Sequence, residues 1–193
     1  MEHYLREPVA GPLVGKNIKL EFESVMTTTW REWWSRHPDT LVLSLDTGHG
    51  RDYGEGVAYD FYFGTDALMF RTSYDDKRLK NKQEVLALRF PAAPNQQLAI
   101  DYCIPEKNPT YSNKIGAQTF VVLTDKSGAN RMYGAQNIRF IDYDGNHALT
   151  DEHHRQWHLS ESGPVSKNQR TLPRLPYHRA FCLAGSLPTQ KQR

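Results

Sequence analysis

Thr119-Phe120-Val121-Val122-Leu123-Thr124, followed by Lys126-Ser127-Gly128-Ala129 and then Asn130-Arg131-Met132-Tyr133, is the stretch on which the fold turns. Four apolar residues between threonines read as a strand, the Ser-Gly pair as a turn, and the residues after it as a returning strand. Runs of this kind are the longest apolar stretches in the chain, far short of the ~20 residues that span a bilayer. Upstream, Val85 to Phe90 and Leu98 to Ile104 read as further strands. Downstream, Ile138 to Tyr143 runs into Asp144-Gly145, a hairpin signal, with Gln156 to Ser160 as the later partner. Gly163 to Pro176 is polar, holds three prolines and reads as a loop, and His178-Arg179-Ala180-Phe181 then packs back onto the sheet.

Toward the N-terminus, Ile18, Leu20 and Phe22 alternate with charged residues between Leu13 and Val25, the period of a half-buried strand. Thr29 and Glu32 stand at capping-box spacing and open a short helix. Trp30, Trp33, Trp34 and His37 fall on one stripe of it, which reads as a core-facing side, with a stacking platform as the alternative. Pro38 stops the helix. Leu41, Leu43 and Leu45 alternate with Val42 and Ser44, a second strand by its period. The expected fold class is therefore mainly β (α+β): mostly antiparallel sheets, sandwich- or barrel-like, with one or two short helices.

The 193 residues suit one unit, and 24 Lys and Arg against 22 Asp and Glu leave a net charge of +2. With no strong Lys/Arg cluster, nucleic acid is not an expected partner. No basic stretch precedes an apolar run at the N-terminus, so no signal peptide is read there. Cys103 and Cys182 are too few for a disulfide framework, and their spacing leaves a single bridge open.

The richest cluster of chemistry-bearing residues is Asp46-Thr47-Gly48-His49-Gly50-Arg51-Asp52-Tyr53-Gly54. Four glycines between Gly48 and Gly56 let its backbone turn tightly. Asp46-Thr47-Gly48 has the look of an aspartic-protease loop, but that chemistry needs two such aspartates sharing a proton, and one copy is present. Asp46, His49, Arg51, Asp52 and Tyr53 are the ligand-binding candidates, with Arg51 either clamping a carboxylate or bracing the loop. Asp151-Glu152-His153-His154 and His158 form a second cluster, in which His154 and His158 share a face on a helix or on a strand and are the metal candidates. Surface histidines beside a turn are the commoner origin of such a cluster. No serine-nucleophile elbow, P-loop or dinucleotide fingerprint is present.

Several segments together resemble one family. They are Pro8-Val9-Ala10-Gly11-Pro12-Leu13-Val14-Gly15, Thr28-Thr29-Trp30-Arg31-Glu32-Trp33, His37-Pro38-Asp39-Thr40 running on to Gly48, Arg51-Asp52-Tyr53, Leu79-Lys80-Asn81-Lys82, Ser127-Gly128-Ala129-Asn130-Arg131 and His178-Arg179-Ala180-Phe181. From about Glu7 to Phe181 the chain resembles the prokaryotic family catalogued as domain of unknown function 3179. The resemblance implies a β-rich domain over residues 1–181 matching the C-terminal part of the family, and an atypical, disordered tail over 182–193. It implies an upstream half with a Cys-x-x-Cys motif behind an export or lipoprotein signal, hence an extracytoplasmic setting and a chain incomplete at both ends. It brings no settled activity and no cofactor.

Arg131 and Arg179 match the family's recurrent motifs and join the ligand-binding candidates, as cations that would meet the acids of the glycine loop. The expected function is binding of a small ligand or partner through residues 46–56. The alternatives are a metal-dependent or redox enzyme whose cysteines lie in the other half, and a non-functional remnant.

Overall fold

The computed structural model describes residues 11–18, 24–69, 79–90 and 97–181. In chain order they form α1 (Trp30–Arg36), a 3-10 turn (Val57–Tyr59) leading into α2 (Asp60–Phe63), β1 (Glu84–Arg89), β2 (Gln97–Asp101), α3 (Cys103–Lys107), β3 (Thr110–Ile115), β4 (Gln118–Thr124), β5 (Asn130–Gly134), β6 (Phe140–Tyr143), β7 (Ala148–Asp151), β8 (Gln156–Ser160), β9 (Gly163–Ser166) and β10 (Tyr177–Phe181). The strands make three antiparallel sheets, ordered β10-β1-β2, β3-β4-β5 and β6-β7-β8-β9, with no closed barrel among the described residues. The fold is thus mainly β, with three short helices where one or two were expected.

β4 holds the layers together. Side chains alternate along a strand, so an unbroken apolar run must be covered on both faces. Phe120 and Val122 join Leu86, Leu88, Leu98 and Ile100 in one core, while Val121 and Leu123 join Phe140, Leu149, Trp157 and Leu159 in another. The middle sheet is therefore a shared wall. β5 follows the same rule, with Met132 on the first side and Tyr133 on the second.

Three aspartates build the hairpin turns. Asp125 Oδ1 accepts from the amides of Ser127 (2.9 Å) and Ala129 (3.0 Å), Asp151 Oδ1 from those of His153 and Arg155 (both 3.0 Å), and Asp144 Oδ1 from those of Asn146, His147 and Ala148. Each carboxylate satisfies turn amides that the ladder leaves unpaired. The first two turns place their fourth residue in the left-handed region, Gly128 at φ +82° and His154 at φ +58°. Glycine suits the first because a Cβ there would lie 2.8 Å from the Tyr102 hydroxyl.

Several sequence expectations shift. β6 pairs with β7, and Gln156–Ser160 is the next strand over. Leu98–Ile104 ends as a strand at Asp101 and turns into α3. Residues 163–176, expected as a loop, hold β9 and two bridges: Val165 to Thr171 closes the segment on itself, and Arg174 to Tyr133 ties it to β5. His178–Phe181 does return to the sheet, against β1. Of the strand expected over Leu13–Val25, residues 19–23 lie outside the described residues. Residues 11–16 instead form turns, and the Val25 amide donates to Tyr177 at 2.9 Å.

The larger differences concern residues 30–45. α1 has the expected Thr29 cap, accepting from the Glu32 amide at 3.3 Å, yet its tryptophans are not in the core. Trp30 and Trp34 stack on each other at 5.5 Å and Trp33 on His37 at 4.2 Å, and the tryptophans Trp30, Trp34 and Trp33 are 54%, 44% and 37% exposed in that order. Among the described residues Leu41–Leu45 joins no sheet, and Leu41 and Leu43 are 94% and 93% exposed. Period-two alternation gives a segment the side-chain pattern of a strand but supplies no neighbour for its backbone. No described helix is long and apolar enough to cross a membrane.

Candidate functional site

Two anchors hold residues 28–66 against the sheets. At the first, Arg131 projects from β5 on the same side as Tyr133, its side chain 5% exposed. Its Nη1 donates to Asp125 Oδ2 at 2.6 Å, and its Nη2 lies 3.6 Å from Glu32 Oε1 of α1. Thr28 Oγ1 donates to Glu32 Oε2 (2.6 Å) and lies 3.3 Å from Ser127 Oγ, which donates to Asp125 Oδ1 (2.6 Å). Arg36 Nε sits 2.5 Å from Glu32 Oε1, an ion-pair contact without hydrogen-bond alignment.

Burial alone would raise the Asp125 carboxyl, but the Ser127 and Arg131 hydrogen bonds outweigh it and hold the group below its ordinary value. The same pairing keeps Arg131 protonated against its own burial.

At the second anchor Lys82 Nζ donates to the carbonyls of Tyr62 and Thr65 and lies 3.9 Å from the centre of the Tyr62 ring. Asn81 Nδ2 reaches the Asp66 carbonyl at 3.3 Å, and the Phe63 ring meets Phe181 of β10 edge-on at 5.9 Å.

Between the anchors the chain forms a strap whose described contacts are mostly local, apart from Arg36 Nη1, which lies 3.7 Å from Glu161 Oε1. Trp33 Nε1 donates to Thr40 Oγ1 at 2.9 Å, and Thr40 Oγ1 donates to the His37 carbonyl. In the glycine loop, Thr47 Oγ1 donates to the Tyr53 hydroxyl (3.1 Å), and Asp52 Oδ1 accepts from the Gly54 amide (2.8 Å). Every residue from Leu41 to Phe61 is exposed. Six carboxylates between Asp39 and Asp66 stand against Arg51 alone, a net −5 in a chain of net +2.

The loop thus brings Asp46, His49, Arg51, Asp52 and Tyr53 together in sequence and on one exposed span. Arg131 and Arg179 face other carboxylates: Arg131 the Asp125–Glu32 pair, Arg179 Glu84 of β1, with its guanidinium 3.7 Å from the centre of the Tyr102 ring. Among the described residues no ion pair joins either arginine to the loop's acids. His154 occupies the turn after β7, and His158, on the outer face of β8, stacks on His147 at 5.3 Å. Among the described residues no three His, Cys, Asp or Glu side chains come together as metal ligands. Cys103 is an exposed free thiol, and the Asp101 carboxylate beside it pushes its ionisation up, away from a reactive thiolate.

Sequence reasoning missed the residues that organise these contacts. Asp125 and Asp151 are buried, and Asp151 also accepts from Trp157 Nε1 (2.9 Å) and Arg155 Nε (2.7 Å). Their one local signal was an aspartate at the head of a short polar turn. Glu32 was legible as a capping residue but not as a partner for Arg131.

A layered β protein carrying an anchored, largely exposed N-terminal strap is the class these observations define. A family model described as "Protein of unknown function (DUF3179)" matches residues 2–185, and the chain belongs to that family. No curated protein and no solved structure matches it.

Proposed function

We propose that the chain is a protein-docking module whose strap, Leu41 to Phe63, receives a partner surface that is both apolar and basic. The observation that carries this reading is the exposure of Leu41, Leu43, Leu45, Tyr59 and Phe61 on a span fixed at both ends and fenced by carboxylates. Contiguous exposed apolar side chains with a polar rim mark interaction surfaces, and each leucine covered by a partner contributes about 1.5–3 kcal/mol. The strap's four carboxylates against Arg51, a net −3, select a positively charged partner and speed its approach. A protein partner is supported over a small ligand because the glycine loop is exposed along its whole length. Asp46, His49, Arg51, Asp52 and Tyr53 supply the polar contacts in the middle of that surface.

The test uses fluorescence anisotropy with a labelled decapeptide alternating lysine and leucine. The peptide is expected to bind the full chain, and to lose binding when Leu41, Leu43 and Leu45 are all replaced by Ser. That variant should keep its thermal midpoint, because exposed substitutions change stability by about 0.5 kcal/mol or less. Equal binding to both proteins, or equal binding of a glutamate-leucine counterpart, overturns the reading.

A further inference from the structure

The sequence pairs His158 with His154, but the structure gives it a different neighbour. His154 stands in the turn after β7 at φ +58°. The His158 ring, on the outer face of β8, lies against that of His147, with centroids 5.3 Å apart and planes tilted by 31°. Both histidines are exposed. Ala148, the cross-strand partner of His158, carries only a methyl group, which leaves His158 room to meet the ring beside it.

Both backbones are pinned. The His147 amide donates to Asp144 Oδ1 at 2.9 Å, and its carbonyl accepts from the Leu159 amide at 2.7 Å. His158 belongs to a strand paired on both sides, opposite Ala148 of β7 and Val165 of β9. The His147 ring is held as well, its Nδ1 lying 3.2 Å from the Leu159 carbonyl oxygen. A carbonyl oxygen only accepts, so in the neutral ring Nδ1 carries the proton and Nε2 keeps its lone pair. Metal-binding imidazoles use this arrangement, a backbone carbonyl fixing one nitrogen while the other coordinates.

The spacing suits a shared ion. With metal–nitrogen bonds of about 2.0–2.1 Å and tetrahedral angles, two imidazoles on one zinc ion hold their centroids about 5 Å apart. The pair already stands at 5.3 Å, so small rotations of exposed side chains present both nitrogens to one ion. Imidazole selects zinc, copper and nickel over magnesium and calcium, which prefer oxygen. Among the described residues no third His, Cys, Asp or Glu side chain joins the pair, which leaves the remaining positions to water.

We propose that His147 and His158 form a surface site for a divalent transition metal of the zinc type, each supplying one ring nitrogen. The bound ion ties the β6–β7 turn to β8. The site uses none of the strap's residues and is independent of the docking reading.

Isothermal titration calorimetry with zinc chloride tests the inference on four full-length proteins: wild type, His147→Ala, His158→Ala and His154→Ala. All three positions are exposed, and thermal melts in chelator check that each variant folds. Wild type is expected to bind zinc. His147→Ala and His158→Ala should each weaken binding by roughly tenfold or more, because the second nitrogen of a chelate acts at high effective concentration. His154→Ala should bind as wild type does. Zinc should also raise the thermal midpoint of wild type and His154→Ala, and leave those of the other two unchanged.

A wild type that does not bind zinc overturns the inference, as does wild-type affinity in His147→Ala. A loss in His154→Ala as large as that in His158→Ala also overturns it, and returns the site to the pair read from the sequence. Weak binding shared equally by all four proteins marks adventitious histidine contacts and overturns it too.

Discussion

Asp125 links the β4–β5 turn to α1. Its two oxygens satisfy a turn, a serine hydroxyl and the buried Arg131 guanidinium, and through Ser127 and Arg131 they reach the Thr28–Glu32 end of α1. Asp125→Ala leaves Arg131 charged and buried without its main counter-ion, and should cost about 3–5 kcal/mol in urea denaturation. The pH dependence has a defined sign. Asp125 and Asp151 have folded-state carboxyls below their ordinary values: burial opposes this, and hydrogen bonds overcome it. Their contribution is therefore fully present above the unfolded carboxylate value of about 3.9, and is lost as pH falls through the lower folded values. The denaturation midpoint should change little from these groups between pH 7 and 5 and drop below about 4, with a shallower drop in Asp125→Asn. An equal acid response in that variant would show that other groups govern it.

At the scale of the element, glycines with the same sequence signal have different roles. Gly128 closes the β4–β5 turn at φ +82° with the Tyr102 hydroxyl against it, whereas Gly50 in the strap has a common backbone angle and open space around it. Gly128→Ala should cost about 1–2 kcal/mol, while Gly50→Ala should fall within about 0.5 kcal/mol of wild type, both read from urea midpoints. The β4–β5 hairpin was legible in the sequence because its apolar run, turn and returning strand are all local signals. The helix cap at Thr29 was legible for the same reason. Trp30, Trp33 and Trp34 were misread because a helical stripe shows which side chains align, not what covers them. Leu41–Leu45 failed similarly, since a strand is completed by a neighbour. In the candidate site, the glycine loop was visible as composition, but the anchors at Glu32–Arg131 and Tyr62–Lys82 join residues far apart in the chain.

For the whole molecule, the double-faced β4 predicts how stability is distributed. Val121 and Val122 point into different cores, yet both belong to the one strand the cores share. Val121→Ala and Val122→Ala should each lower stability by about 1–3 kcal/mol, with Trp157 fluorescence and far-UV circular dichroism still reporting coincident transitions. Separated transitions would mean that the two cores unfold independently. Hydrogen exchange on a dilute sample should find the slowest amides in β4 and the fastest in the strap, where no described residue is buried. The strap's first anchor has a further consequence, for synthesis. Thr28 lies 99 residues before Ser127, so the ribosome releases the tryptophan- and leucine-rich segment before its docking site exists. At about 5–20 residues per second, that segment waits some 5–20 s. The newborn chain therefore has a window in which a chaperone can hold it, and slower translation downstream of Phe63 would lengthen that window.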